Sequence, residues 1–401
     1  MSKKILIVTD CFPPNFAPRM GVLSTNLEKM GWDVTIISED NAETHYALAN
    51  LPQNTYLYNY QSSLSRVGYY FKTALNLFFD HKSLAFYKRF SNVINNGNFD
   101  LVLCSTFNEF PLNLAYKISQ KLNIPLVCDI RDLVEQFGNK LYSRNHISDN
   151  FFNRFFTNLI RKKRICKRNQ IIKKANAVVT VSPWHKEFLS RLNKNVHLIY
   201  NGYSSELFTA NDIKSDTFDI IYTGRLLDSK AQNPELLFKA IEALRLEKLR
   251  LVWYVDNKSK AIINDILKDY PTSRSISQVN NLVPVSEIPT LLNKSSIVLV
   301  LTNKSDENGP KGIMTTKFFE AIGVEKPVLC VPNDEGCLGQ VINEVNAGLA
   351  ANSAQEVQNF ITEKYNEWQK NGFTRQNVRN KEYFCRENQA KEFIKVFNTV
   401  L

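Results

Sequence analysis

The sequence lacks the features that mark several large classes of protein. Its 401 residues contain no uninterrupted apolar run of the roughly 18 residues that a spanning helix needs, and the first apolar run, which ends at Val8, is too short for a signal peptide. The seven cysteines are scattered and form no CxxC pair, so neither a disulfide scaffold nor a zinc knuckle is indicated. We therefore expect a protein of the reducing cytoplasm that does not cross the membrane.

The motifs of the common metal and nucleotide sites are also missing. The five histidines form no HExxH, and there is no DxD to hold a divalent ion against a nucleotide diphosphate. The chain has no GxGxxG fingerprint and no Gly-Lys pair for a Walker A loop, which excludes classical dinucleotide enzymes and P-loop ATPases. The sequence therefore predicts no bound metal and no cofactor.

What is present is the composition and pattern of a two-domain α/β protein. Apolar residues make up 44% and charged residues 22% of a chain longer than one hydrophobic core usually organises. Short apolar runs alternate with longer helical patterns, as in open parallel sheets flanked by helices. The predicted strands are residues 4–9, 34–38, 101–104, 125–129, 177–181 and 196–199 in the first half, and 219–223, 249–255, 297–301 and 327–331 in the second.

This pattern predicts an α/β protein with two Rossmann-like domains that face each other across a cleft. The first domain is expected at residues 1–203, followed by a linker at 204–217. The second domain is expected at residues 218–380. A C-terminal helix at 381–401 is expected to pack back on the first domain.

One segment supplies much of the net charge of +11. Residues 151–174 hold nine basic side chains and no acidic one, with apolar residues interleaved at helical spacing. Such a helix suits an anionic bilayer better than a nucleic-acid groove, and the alternative is a solvated basic face. An aromatic-rich stretch at 69–90 is a candidate extension of the same face. The candidate membrane-binding residues are Arg161, Lys162, Lys163, Arg164, Lys167 and Arg168.

Two cations, Arg225 and Lys230, follow the predicted strand at 219–223. At the carboxyl end of a strand they can clamp a diphosphate and stabilise the charge that grows on a leaving nucleotide, without a metal. The structural alternative is a pair of surface charges in a strand-to-helix loop.

A second candidate site precedes the predicted strand at 327–331. Residues 312–316 lead into a helix, where free backbone N–H groups and threonine hydroxyls form an anion site. Glu320, one turn into that helix, is placed to accept hydrogen bonds from a ribose diol. A capping box explains it less well, because such a box puts glutamate three residues after the N-cap and Glu320 is four after Thr316.

Taken in order, these segments resemble a retaining glycosyltransferase of the GT-B fold, of the family 4 type that builds bacterial capsule, O-antigen or exopolysaccharide. The resemblance spans nearly the whole chain. It rests on residues 4–21 with the Phe12-Pro13-Pro14 turn, 129–133, 177–182, 199–202, 224–230 and 317–331.

The resemblance implies a nucleotide-sugar donor and a glycan acceptor that is lipid-linked and reached from the inner face of the membrane. Arg225 and Lys230 are expected to hold the donor diphosphate and Glu320 its ribose. Gly21 is expected in the first strand-to-helix loop, where the backbone approaches the reacting sugar. The implied donor-binding residues are Gly21, Arg225, Lys230, Gly312, Ile313, Met314, Thr315, Thr316 and Glu320.

Two departures from the family pattern bear on the mechanism. Gly312 stands where the family usually has the first of two glutamates separated by seven residues, so the donor sugar does not follow from the resemblance. Arg131 precedes Asp132 where many members have a histidine. The predicted catalytic residues are Arg131, Asp132, Arg225 and Lys230, in a front-face displacement that uses the leaving phosphate as base. A buried Asp-Arg pair that supports the cleft wall is the alternative for the first two.

Two other functions fit the same sequence. A nucleotide-sugar 2-epimerase shares the two-domain architecture, although its catalysis usually relies on acidic residues and histidines, and it converts donor without acceptor. An inactive nucleotide-sugar-binding scaffold is compatible with the missing first glutamate, and a donor hydrolysis assay tests for it.

Overall fold

The chain contains two parallel β-sheets. The computed structural model describes residues 2–13, 18–40, 54–60, 78–106, 109–137, 151–226, 232–304 and 311–401, with residues 52, 68, 72, 75 and 76, and gives only the backbone of residues 151–157. The chain divides into a first unit of Met1–Tyr200 with Gln389–Leu401 and a second unit of Asn201–Asn388. Within the described ranges, no helix combines the length and the apolar character needed to span a bilayer.

The first unit contains a parallel sheet. Its described strands are β1 (Lys4–Thr9), β2 (Asp33–Glu39), β3 (Asn54–Tyr58), β4 (Leu101–Thr106), β5 (Leu126–Ile130), β6 (Ala177–Thr180) and β7 (Val196–Leu198). The flanking helices are α1 (Pro18–Lys29), α2 (His81–Arg89), α3 (Ser91–Asn96), α4 (Leu112–Leu122), α5 (Phe151–Lys174) and α6 (Pro183–Ser190), with a 3-10 turn at Val134–Phe137. The strand order is β3-β2-β1-β4-β5-β6-β7.

Both faces of this sheet are buried. Leu6 and Val8 of β1 point into one hydrophobic cluster, whereas Ile5 and Ile7 point into the other. The second cluster includes residues of the C-terminal helix, among them Phe397, whose ring lies 5.5 Å from that of Trp32. A strand covered on both faces is an uninterrupted apolar run in the sequence, which explains why residues 4–9 could be predicted as a strand.

The second unit repeats the architecture with its own sheet. Its described strands are β8 (Phe218–Thr223), β9 (Leu249–Val255), β10 (Ser277–Asn281), β11 (Ile297–Leu301), β12 (Val328–Val331) and β13 (Gly348–Ala350), in the order β10-β9-β8-β11-β12-β13. Its helices are α7 (Glu235–Glu242), α8 (Asn257–Ile266), α9 (Pro271–Ser275), α10 (Ile288–Lys294), α11 (Thr316–Gly323), α12 (Cys337–Glu344) and α13 (Ala354–Asn371), and α14 (Arg386–Val400) begins here and continues in the first unit. Short 3-10 turns lie at Leu267–Asp269, Val285–Glu287 and Lys381–Phe384.

The prediction of two parallel-sheet α/β domains is confirmed. The observed boundaries nevertheless differ from the predicted linker at 204–217, which belongs to the second unit. Tyr203 and Phe208 are buried against α11, where a Cβ added to Gly323 would come within 2.7 and 2.9 Å of their atoms. This packing makes the segment part of the second core. Residues 381–388 also lie in the second unit, because Tyr203 forms a parallel bridge with Cys385.

Candidate functional site

In the second unit, the order of the strands reverses between β8 and β11. The chain runs from β8 to its neighbour β9 on one side and later returns to β11 on the other side. Ligands of open α/β sheets bind outside the carboxyl ends of the strands at such a switch point. The loop that starts with Gly224 and Arg225 leaves β8 there, and α11 follows β11, so both predicted donor segments lie at the switch point.

The loop after β8 is fixed on both sides of Arg225. The hydroxyl of Tyr222 donates to the Arg225 carbonyl (2.9 Å), and the Leu226 N–H donates to Ser259 Oγ (2.9 Å). The guanidinium itself is 59% exposed, with Nε 3.4 Å from Asp256 Oδ2. Hydrogen bonds from Ser259 lower the pKa of Asp256, and the Arg225 charge acts in the same direction. A fixed backbone therefore presents an exposed cation. Lys230, the other predicted clamp residue, lies outside the described residues.

The segment before α11 has the conformation of an open helix start. Thr315 is the N-cap in extended conformation, but its side chain makes no capping hydrogen bond, and Thr316 is the first helical residue. Met314 is buried and Ile313 half-buried. Gly312 is buried with φ +65°, a left-handed conformation that disfavours glutamate. The backbone thus gives a physical reason for the glycine at this departure from the family pattern.

Glu320 lies five residues after the N-cap, so a capping box does not explain it. Within the described ranges, no donor makes a hydrogen bond to its half-buried carboxylate. Burial raises the pKa of Glu320, while the charges of Arg386 and Lys317 oppose this shift. Arg386 is itself buried, and its Nε donates to the Gly202 carbonyl (2.7 Å). The carboxylate is therefore available to an outside hydrogen-bond donor.

Lys317 connects α11 to the loop after β8, although no motif of the sequence indicated it. Its ammonium lies 5.1 Å from the centre of the Tyr222 ring. A Cβ added to Gly224 would come within 3.0 Å of Lys317 Cε and 3.1 Å of its Nζ. The positive charge of a lysine in the first turn of a helix opposes the helix dipole. This unfavourable position is the signal in the sequence by which Lys317 could have been selected.

In the first unit, the corresponding reversal lies between β1 and β4. Asp10 follows β1, and its Oδ1 accepts a hydrogen bond from Arg131 Nη2 at 2.6 Å. Its Oδ2 accepts from Thr106 Oγ1 at 3.2 Å, at the end of β4. Arg131 therefore forms a buried ion pair with Asp10.

A hydrogen bond from Gln136 holds Asp132. Its Oδ1 accepts from Gln136 Nε2 (3.1 Å), and Gln136 Oε1 accepts from the Leu133 N–H (3.0 Å). The same Oε1 lies 2.6 Å from His185 Nε2, which must carry the proton because the amide nitrogen is used for Asp132. Burial lowers the pKa of His185 to about 4, so the ring is neutral at neutral pH. The network fixes Asp132 just beyond β5.

A buried arginine at the start of α1 was missed by the sequence analysis. Arg19 Nη2 lies 2.9 Å from Asp129 Oδ1, and Ser105 Oγ donates to Asp129 Oδ2 at 2.8 Å. Arg19 also donates to the carbonyls of residues 199 and 200 at 2.9 and 2.7 Å. The predicted loop position of Gly21 is wrong, because α1 begins at Pro18, a residue preorganised for the first helical turn, and Gly21 is buried within the helix.

The strand orders and helices match solved structures over nearly the whole chain. Sucrose-phosphate synthase from Thermosynechococcus elongatus matches with a TM-score of 0.63 at 14% identity, over 99% of this chain and 98% of that chain. HepE of Anabaena, in complex with UDP and glucose, matches with a TM-score of 0.62 at 14% identity, over 99% and 100% of the two chains. The fold is that of the GT-B glycosyltransferases.

Comparison of sequences adds a match that covers most of the first unit and the first residues of the second. Residues 20–207 match the profile of Glycosyltransferase Family 4. No curated protein matches the sequence. A GT-B-like structure from Listeria monocytogenes, assigned as a UDP-N-acetylglucosamine 2-epimerase, has a TM-score of 0.56 at 12% identity, over 100% of this chain and 96% of that chain. The fold is thus common to transferases and epimerases, so only the residues of the site can distinguish the two activities.

The cations of α5 do not all face solvent. Arg168 is buried, with Nη1 and Nη2 donating to Glu135 at 2.8 and 2.6 Å, so the prediction that it meets lipid headgroups is wrong. Arg164 and Lys167 lie 3.7 and 3.6 Å from Glu109. Burial raises the pKa of Glu109, and these two cations oppose that shift. Part of the basic charge of α5 is therefore compensated inside the unit.

Other residues of α5 combine basic and apolar character. Lys162 and Lys163 lie three and four residues after Leu159 and therefore on the same side of the helix; Leu159 and Lys162 are exposed and Lys163 is half-buried. Lys163 Nζ lies 4.1 Å from the centre of the Phe78 ring. Phe78 and Phe79 are 59% and 70% exposed. We call these five residues the aromatic–basic surface.

Among the described residues, no three His, Cys, Asp or Glu side chains come together as ligands for a metal ion.

Proposed function

We propose that this protein is a retaining, metal-independent glycosyltransferase that moves a sugar from a nucleotide-sugar donor to a lipid-linked glycan in surface polysaccharide synthesis. The half-buried carboxylate of Glu320, without a hydrogen-bond donor in the described part of the chain, carries the proposal. At the switch point of the second sheet, it is placed to accept hydrogen bonds from the two ribose hydroxyls. Arg225 and the start of α11 are placed for the diphosphate. HepE, which shares the fold, binds UDP, so UDP is the first ligand to test.

The chemistry follows from charge and position. The bond from the sugar C1 to the diphosphate breaks, and the acceptor oxygen bonds to C1 on the same face. The acceptor proton passes to the leaving phosphate oxygen, so no protein base is required. Arg225, Lys230 and the N-terminus of α11 stabilise the negative charge that develops on the leaving diphosphate. Asp132, oriented by Gln136, contacts a sugar hydroxyl, whereas Arg131 holds Asp10 in place.

Binding and turnover together test the proposal. UDP is expected to raise the melting temperature in proportion to the logarithm of its concentration above its dissociation constant, as for any ligand of the native state. A UDP-sugar incubated with the protein should be slowly hydrolysed and should keep its C2 configuration by NMR. Epimerised donor would establish the epimerase function instead, and binding without hydrolysis or transfer would establish the scaffold.

The first prediction concerns Glu320. Glu320→Gln is expected to weaken UDP binding by on the order of 10-fold, because a hydrogen bond to a charged group is replaced by a neutral one. Pyrophosphate, which lacks the ribose, should bind both proteins equally. Calorimetric titration with the two ligands measures the difference. The matched control is Glu363→Gln, an exposed glutamate of α13 in the same unit. Equal losses for UDP and pyrophosphate would show that Glu320 supports the helix and not the ribose.

The aromatic–basic surface supports the membrane part of the proposal. An acceptor on a lipid carrier requires the enzyme at a bilayer, and Lys162 and Lys163 can each gain about 1 kcal/mol from anionic headgroups. Phe78 and Phe79 offer rings for shallow insertion beside these cations. The surface therefore combines the two contributions that a peripheral protein uses, and it supports the proposal that the enzyme works at the inner face of the cell membrane.

The second prediction is that the wild-type protein sediments with anionic but not with neutral vesicles at low salt. The double variants Lys162→Gln/Lys163→Gln and Phe78→Ser/Phe79→Ser should each lose most of this binding while keeping UDP binding. Replacing Lys239, Lys258, Lys268 and Lys294 by Gln removes more charge from exposed positions of the second unit and should have little effect. Unchanged sedimentation of both double variants would identify the surface as solvated and favour a soluble acceptor.

A further inference from the structure

Lys317 occupies an unusual environment for a lysine. It is half-buried in the first turn of α11, where its charge opposes the helix dipole. Its ammonium lies 5.1 Å from the centre of the Tyr222 ring, and Tyr222 is fully buried at the end of β8. Among the described residues, the Lys317 ammonium makes no hydrogen bond and no ion pair. The aromatic ring therefore holds a cation that has no directly bonded counter-ion.

The conformation of the backbone beside Lys317 leaves room for its side chain. Gly224 has φ +108°, and its missing side chain leaves the space that Lys317 Cε and Nζ occupy. Any other residue would be strained at this φ and would also push the ammonium aside. The hydroxyl of Tyr222 donates to the Arg225 carbonyl (2.9 Å), so the ring that holds Lys317 also fixes the loop that carries Arg225.

The two cations of this loop region differ in how they are balanced. Arg225 lies 3.4 Å from Asp256, which compensates part of its charge. Lys317 has Glu320 as its acidic neighbour one turn further along α11, without a hydrogen bond between them. Burial lowers the pKa of Lys317, and Glu320 opposes that shift. An anion that enters here supplies the direct ion-pair partner that Glu320 does not provide.

We propose that Lys317 is a diphosphate-binding residue: its ammonium, held between Tyr222 and Gly224, contacts the donor phosphates beside Arg225. The proposal rests on the proposed function, because it deepens the donor site. It assigns the anionic part of the ligand to Lys317 and leaves the ribose to Glu320. It also gives Gly224 a role, since glycine at this position keeps the ammonium within reach of the phosphates.

Three ligands test the assignment on the full-length protein. In calorimetric titrations, Lys317→Met is expected to bind UDP and pyrophosphate about 10- to 100-fold more weakly than wild type, and uridine with unchanged affinity, because only the charged contact is removed. Lys317→Arg should recover most of the UDP affinity. Gly224→Ala should show the same ligand pattern as Lys317→Met. The control Lys294→Met removes an exposed lysine of α10 and should match wild type.

The outcomes separate this inference from the function on which it rests. If wild type binds neither UDP nor pyrophosphate, the proposed function itself fails. If wild type binds both ligands, and Lys317→Met binds each of them with the affinity of wild type, Lys317 is only a packing residue of α11. An equal loss of affinity for uridine and for UDP in a folded Lys317→Met protein would likewise overturn the assignment, because the loss would then not depend on phosphate.

Discussion

Replacing Arg225 by alanine is expected to lower turnover by about 10- to 1,000-fold while the protein stays folded, the range seen when one charge contact to a transition state is removed. The guanidinium is exposed, and the loop around it is held by backbone and by Tyr222, so the fold does not depend on it. Lys230→Ala is expected to show a loss of the same order. Steady-state kinetics with a UDP-sugar measure both.

The control for Arg225 lies at the opposite end of the same two strands. Arg250, near the start of β9, pairs with Asp219 near the start of β8 at 2.6 Å. It resembles Arg225 in being an ion-paired arginine at the edge of the sheet, but it is remote from the switch point. Arg250→Ala should keep full turnover. Kinetics of the Arg225 and Lys230 variants that match those of Arg250→Ala would refute the phosphate clamp.

Asp129→Ala is expected to destabilise the first unit by about 3 kcal/mol or more, because it leaves the guanidinium of Arg19 buried without its counter-charge. The Asp129 carboxylate is fully buried and also accepts a hydrogen bond from the Ser105 hydroxyl. Urea denaturation followed by circular dichroism measures the change in the free energy of unfolding. The double variant Arg19→Met/Asp129→Ala should recover much of the loss, since both charges are then absent.

An exposed ion pair on the same sheet provides the comparison. Lys4 and Asp33 lie 3.5 Å apart with side chains 41% and 38% exposed. Asp33→Ala is expected to cost less than about 1 kcal/mol, because water solvates the remaining lysine. Similar losses for Asp33→Ala and Asp129→Ala would show that the burial of the Arg19 pair contributes nothing to its importance.

The central strands were predictable because they are covered on both faces. Residues 4–9, 249–255 and 297–301 were placed with the observed ends, since each is an apolar run bounded by polar residues. Three strands were not predicted from the sequence, and all of them lie at sheet edges: β3, β10 and β13. An edge strand such as Ser277–Asn281 is partly exposed and largely polar, so its sequence carries no apolar run.

The candidate site was predictable where its chemistry depends on residue type and order along the chain. Arg225 follows a buried strand and Glu320 follows a helix start, and both relations can be seen in the sequence. Lys317 could not be selected in this way, because its environment arises from a ring and a glycine about 90 residues earlier in the chain. The pairing of Arg131 with Asp10 is likewise a contact between distant segments, which no local pattern encodes.

The passage of α14 from one unit into the other has a consequence for synthesis. The first 200 residues leave the ribosome long before Gln389–Leu401, which belong to the same unit. Until then, the face of the sheet that carries Ile5 and Ile7 lacks Phe393 and Phe397. The unit that is translated first is therefore completed last, and a chain that stops early exposes an apolar sheet face that a chaperone or a protease can detect.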